Sequence, residues 1–171
     1  MQMLYRCFIS FGSLFILLPT VFWLSEGNRV QAREKITIGL VEDIILLPWG
    51  IKLPARIDTG AARSSLDARD LILKGKFVEF RLSKKYGGQQ LRQRIVSWQT
   101  IRSAEGRERR PVVELELCVG PKRLRARINL NDRTGMDYPF LIGRDILRGN
   151  FLVDCMESNC APPSCPEVPS K

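Results

Sequence analysis

The chain has no histidine among its 171 residues. That absence excludes a histidine-liganded zinc, a Ser-His-Asp triad and a Cys-His nucleophile pair. It also leaves Ser64 and Ser65 without an imidazole base, so serine nucleophile chemistry is set aside. A Gly-rich loop ending in Lys-Ser/Thr, which would cradle ATP phosphates, is missing too. Acidic residues are the scarcer charge, 18 against 27 Lys and Arg. The net charge of +9 suits acidic partners. There is no internal repeat and no coiled-coil heptad pattern.

The length fits one domain with a core of ordinary size. Arg6 precedes an uncharged, mostly apolar run over residues 8–24, and Val30-Gln31-Ala32 offers a small-x-small cleavage site. The run is slightly shorter than the roughly 18 residues expected of a spanning helix, and it contains Pro19. The expectation is a cleaved secretory signal over 1–32, with a retained anchor as the alternative. A periplasmic or secreted location follows from the first, a membrane-anchored one from the second. Two arginines and one glutamate leave with this segment, so the remainder keeps +8.

Cys7 lies in that segment and has no lipid-attachment pattern around it, which leaves Cys118, Cys155, Cys160 and Cys165. An even number in an exported chain permits disulfides, with three possible connectivities. The Cys155-x4-Cys160-x4-Cys165 spacing is not that of a zinc knuckle, and a tie for the tail is preferred to a metal site.

Between residues 36 and 154 the pattern is of short strands and turns. Residues 36–39 open the domain, and 44–47 are a short apolar run that Pro48 stops. Residues 76–82 alternate, with Val78, Phe80 and Leu82 on one face. Residues 94–101 form another strand. Val113, Leu115, Leu117 and Val119 share a face, as do Leu124, Ala126, Ile128 and Leu130, with Gly120-Pro121-Lys122-Arg123 as the turn. Pairing Val119 with Leu124 sets Glu116 across from Arg127 and Cys118 across from Arg125. Arg123, Arg125 and Arg127 could form a basic stripe for an anion, but neutralisation by Glu114 and Glu116 is the preferred reading. A short helix is expected over 143–147, and a brief helical turn over 68–73. Domain boundaries are set at 1–32, 33–154 and a Cys/Pro-rich tail over 155–171.

Asp58-Thr59-Gly60-Ala61 follows the apolar lead-in Leu53-Pro54-Ala55-Arg56-Ile57, and Phe140-Leu141-Ile142-Gly143-Arg144 comes much later. Alone, Asp58 reads as a turn residue capping its own backbone. With the second element, the pair resembles one lobe of a retropepsin-like aspartic peptidase. Ile38-Gly39 with Glu42, Ser64-Ser65-Leu66, Arg110-Pro111-Val112-Val113, Asn131-Asp132-Arg133, Met136-Asp137-Tyr138-Pro139 and Phe151-Leu152-Val153-Asp154 extend the likeness. The chain resembles the bacterial retropepsin-like aspartic endopeptidases, a family also labelled ATP-dependent zinc proteases.

That resemblance implies an all-β fold, a single-lobe closed β-barrel or sandwich with one short helix after Gly143-Arg144. It implies an aspartic endopeptidase with Asp58 as the catalytic carboxylate, supported by Thr59, Gly60, Ala61, Ile142, Gly143 and Arg144. With one such loop per chain, the second Asp58 must come from a homodimer. The expected substrate is a peptide or protein, which could be acidic, since some family members are associated with glutamate ligases. No cofactor, metal or nucleic acid is expected; the basic residues lack the aromatic interleaving of a base-stacking surface. The alternative is a non-catalytic module on the same fold that holds acidic peptides or anionic polymers.

The chain departs from compact viral retropepsins in two places. Ala62 and Arg63 stand where acidic residues often follow the Asp-Thr-Gly-Ala loop, so Arg144 needs another partner: Asp67, Asp145 or Asp154. The longer separation of the two motifs is assigned to hairpins over 84–110. Asp132-Arg133 reads as a surface ion pair, and Trp49 and Trp98 as core or interface aromatics.

Overall fold

The structure, a computed structural model, describes residues 35–47, 49–103 and 106–166. The expected signal or anchor over 1–32 and the Pro48 strand stop lie outside those residues. Among the described residues no helix is long and apolar enough to cross a membrane.

Among the described residues eleven strands follow in chain order: β1 (Ile36–Ile38), β2 (Val41–Leu47), β3 (Ile51–Ile57), β4 (Ser65–Asp67), β5 (Arg69–Lys74), β6 (Phe77–Arg81), β7 (Gln90–Ser103), β8 (Gly106–Val119), β9 (Lys122–Asn131), β10 (Phe140–Ile142) and β11 (Phe151–Val153). The α-helix of these residues, α1, spans Arg144–Leu147, and Lys84–Tyr86 form a 3-10 turn. The fold is mostly β and retropepsin-like, as the resemblance implies.

The main sheet runs β2-β3-β10-β4-β9-β8-β7-β6-β5, and β2 also pairs with β8. That extra pairing closes six strands into a ring and leaves β7, β6 and β5 as a flange. Closure removes the open edges that a flat sheet would expose. Period-2 patterning explains which side chains fill the ring: Ile44 and Leu46 on β2, Leu53 and Ala55 on β3, and Leu117 on β8 are fully buried. Leu66, Ile128, Leu130, Phe140 and Ile142 complete the same core. Outside the ring, β1 lies parallel to β11, with Ile36 opposite Phe151.

Two local expectations are corrected. Residues 68–73 are not helical. Asp70 takes φ 53°, which breaks a helix, and β5 pairs with β6 across a two-residue turn at Gly75 (φ 59°). The β8–β9 hairpin is also tighter than expected. Val119 pairs with Lys122, so only Gly120 and Pro121 form the turn, and the positive φ of Gly120 (54°) suits its first central position. The register moves by two residues: Glu114 faces Arg127, Glu116 faces Arg125 and Cys118 faces Arg123. A shift of two keeps each side chain on its face, so the expected apolar stripes survive.

Residues 155–166 take no regular structure but are fastened to the barrel. Cys118 and Cys165 form a disulfide, while Cys155 and Cys160 are free, so none of the three two-disulfide connectivities the sequence allows is complete. Glu42 is a further fastening, beside backbone hydrogen bonds at Glu157, Asn159 and Ser164. It occupies an inward position of β2 and is fully buried. Its carboxylate accepts from the backbone N–H groups of Gly39 (2.6 Å), Cys160 (2.8 Å) and Ala161 (3.2 Å). A buried carboxylate is tolerable only with such donors.

Candidate active site

β3 ends at Ile57, and the Asp58 N–H donates to the Ile142 carbonyl at 2.9 Å, extending the parallel β3–β10 ladder by one step. The chain then turns sharply. The half-buried Asp58 carboxylate uses Oδ1 to accept from the N–H groups of Gly60 (2.8 Å) and Ala61 (3.0 Å). These are the bonds of the turn-capping reading of Asp58. They fix one oxygen, and among the described residues no donor reaches Oδ2. Thr59 and Gly60 are exposed at the tip of the loop.

The second motif braces this loop from behind. The Arg144 N–H donates to the Ala61 carbonyl at 2.9 Å. The Arg144 guanidinium donates through Nη1 to the carbonyls of Thr59 (3.0 Å) and Gly60 (2.6 Å). None of the three expected carboxylates is its partner, which corrects that expectation. Asp67 pairs with Arg69 at 3.1 Å, Asp145 accepts from Ser64, and Asp154 accepts from the Met156 N–H. With Ala62 and Arg63 in place of acids, the loop's own carbonyls become the acceptors.

The sequence reading named Ser64 only within a resembling stretch and Asp145 only as a candidate partner of Arg144; it did not foresee that the two bond each other. The Ser64 hydroxyl donates to Asp145 Oδ1 at 2.7 Å and accepts from the Gly143 N–H at 2.9 Å. The Ser64 N–H donates to Asp145 Oδ2 at 3.1 Å, and Asn129 Nδ2 donates to the Ser64 carbonyl at 2.8 Å. Ser64 is fully buried, so this network ties the chain after the Asp58 loop to β9, β10 and the start of α1. Beside the network, Ser65 Oγ and Asn129 Oδ1 are buried without a partner among the described residues.

The electrostatic surroundings are basic. Burial pushes the Arg133 guanidinium down from its ordinary value, and Asp67 opposes this; Arg110 and Arg56 push it further down, and Asp58 acts against them. Arg133 makes no ion pair with Asp132, contrary to the sequence reading: Asp132 Oδ1 accepts from the Thr134 N–H at 2.8 Å, while Arg133 donates to Tyr138 O at 3.3 Å. Thr134 hydrogen bonds hold the Asp132 carboxyl below its usual range. Trp49 packs against the core, whereas Trp98 is 41% exposed.

Asp58, Thr59, Gly60 and Ala61 thus form one loop, held by Ile142, Gly143 and Arg144. A family model described as RimB-like, retropepsin-like aspartic endopeptidase RimB, matches residues 37–164. The chain belongs to this RimB-like family of retropepsin-like aspartic endopeptidases. The match takes in most of residues 155–166, beyond the end of β11. A probable alpha-L-glutamate ligase of Parasynechococcus marenigrum is 30% identical over 71% of this chain. A protein of the same description from Shewanella pealeana is 29% identical over 74%. The chain spans only 28% and 30% of those two relatives. A crystal structure of a Legionella pneumophila protein of unknown function superposes with a TM-score of 0.64 at 29% identity, covering 74% of this chain and 98% of that one.

Proposed function

We propose that the chain is an exported aspartic endopeptidase whose working centre forms when two copies bring their Asp58 residues together. The observation that carries this reading is the one-sided fixing of Asp58: Oδ1 is held by two backbone N–H groups on a loop braced by Ile142, Gly143 and Arg144. Two carboxylates a few ångströms apart cannot both ionise cheaply, so such a dyad retains one proton. One Asp58 takes a proton from the shared water, which attacks the scissile carbonyl. The other donates its proton to the carbonyl oxygen. Thr59, exposed at the loop tip, hydrogen-bonds across the dyad and keeps the two loops level. Gly60 lets substrate backbone come close.

The chain's excess of basic residues supports an acidic peptide or protein as substrate. The names of the curated relatives, probable glutamate ligases, point the same way. Residues 1–32 support export with a cleaved signal, in keeping with a disulfide at Cys118–Cys165.

The test is a peptide-library digest with the wild-type chain and with Asp58→Asn. Asn is isosteric and keeps an acceptor for the Gly60 and Ala61 N–H groups, so the fold is expected to persist while cleavage is lost. Undiminished cleavage by Asp58→Asn would overturn the proposal.

A further inference from the structure

The arginines of β9 divide into two kinds. Arg123 is gripped by Glu116, with Nε to Oε1 at 2.7 Å and Nη2 to Oε2 at 2.9 Å. Arg125 lies 3.7 Å from Glu114. Arg127 faces Glu114 in the strand register, yet it makes no ion pair among the described residues. Arg63, on the loop that follows Ala61, makes none either. Cross-strand neutralisation therefore accounts for two of the three stripe arginines and leaves one over.

Arg63 and Arg127 meet in space. Both line two neighbouring hollows. One, of about 200 Å3, is bounded further by Arg125, Asp145 and Asn150. The other, of about 120 Å3, is bounded by Ser97, Trp98, Gln99 and Val112. Among the described residues Asp145 is the one carboxylate on either wall, and both its oxygens are engaged, by the Ser64 N–H and hydroxyl and by the Ile146 N–H. At the rim Arg109 lies 5.1 Å from the Trp98 ring centroid and adds a further cation.

We infer that Arg63 and Arg127 form a second binding site, apart from the Asp58 carboxylate, for carboxylate side chains of an extended acidic peptide segment. Two guanidinium forks beside adjoining hollows suit two carboxylates on one strand, each fork able to bind bidentately. An oligonucleotide would need open aromatic faces for its bases, but among the described residues Trp98 is the lone aromatic of these walls and Arg109 lies over it. The choice of a peptide rests on the proposed function; the charge and shape of the site do not.

The experiment measures fluorescence anisotropy of a fluorescein-labelled oligoglutamate with the full chain carrying Asp58→Asn, so that no cleavage intervenes. Adding Arg63→Ala and Arg127→Ala together is expected to weaken binding roughly tenfold or more, whereas Arg123→Ala changes it less than about twofold. Both target side chains are exposed, and an unchanged melting temperature would confirm that the double variant is folded. Unweakened binding by the double variant overturns the site. So does an equal loss with Arg123→Ala, which would mean general attraction to a basic surface. Inorganic phosphate or a single-stranded oligonucleotide competing as well as unlabelled oligoglutamate also overturns it. Binding through Arg63 and Arg127 with no hydrolysis by the wild-type chain would sink the peptidase proposal and leave this site standing.

Discussion

Gly143 lies against Arg63 so closely that a Cβ on Gly143 would stand 2.8 Å from the carbonyl carbon and oxygen of Arg63. The same atom would come within 3.0 Å of the Ala61 carbonyl oxygen. The backbone at Gly143 has φ −97°, open to any residue, so space and not conformation demands glycine. Gly143→Ala must push the Asp58 loop outward. The expected cost is about 1–3 kcal/mol of stability, together with a loss of peptide cleavage larger than that destabilisation explains. Urea denaturation read beside a cleavage assay measures both. Full activity in the variant would show that the loop does not depend on this brace.

Asp145 offers a sharper test of positioning. Its removal in Asp145→Ala strands the Ser64 N–H and frees the Ser64 hydroxyl that receives the Gly143 N–H. A loss of about 2–3 kcal/mol is expected. Asp145→Asn keeps one acceptor oxygen and should lose less. Comparing kcat with KM separates the roles: a residue that positions Asp58 lowers kcat at nearly constant KM. Equal stability of the two variants would contradict the hydrogen-bond account.

The tail provides an independent check of the fold. Glu42 holds two tail amides and Gly39 with one buried carboxylate, so Glu42→Ala should cost about 3 kcal/mol. Amide hydrogen exchange at Cys160 and Ala161 should quicken first. Cys165→Ser removes the disulfide to Cys118 and is expected to cost about 2–4 kcal/mol. Protected Cys160 and Ala161 amides in Glu42→Ala would show that the Glu42 carboxylate is not what holds them.

A titration tests the surface electrostatics. The hydrogen bond from Arg123 holds the Glu116 carboxyl below the usual glutamate range; burial opposes the shift, and the charges of Arg123 and Arg125 aid it. A carboxyl lowered on folding contributes stability above its unfolded value and loses that contribution as pH falls through the lowered value. The window therefore lies on the acid side of ordinary glutamate titration. Carbon-detected NMR should find the Glu116 midpoint below the normal range, moving upward in Arg123→Ala. An unmoved midpoint would contradict the pair.

Much of this architecture was legible because its signals are local. Val78, Phe80 and Leu82 announce their strand by alternation, and all three are buried. The Asp58 and Gly143 motifs carry a resemblance that places two distant segments side by side before any coordinates exist. What stayed hidden depends on distance in the chain. Nothing near Arg144 says that its guanidinium will choose the Thr59 and Gly60 carbonyls over three available carboxylates. Ser64 and Asp145 are 81 positions apart, and neither residue type signals the other. The helix expected over 68–73 failed because its period could not reveal the left-handed turn at Asp70. The β8–β9 register failed by two because a Gly-Pro turn was counted as four residues rather than two.

The measurement that bears most directly on the shared-carboxylate centre is a mixing titration. Wild-type chains are equilibrated with increasing amounts of Asp58→Asn at constant wild-type concentration, and peptide cleavage is followed. If each working centre takes one Asp58 from each of two copies, mixed dimers are dead and activity per wild-type chain falls to roughly half at equal mixing. If activity per wild-type chain stays constant across the titration, one chain suffices and the dyad is not formed between copies.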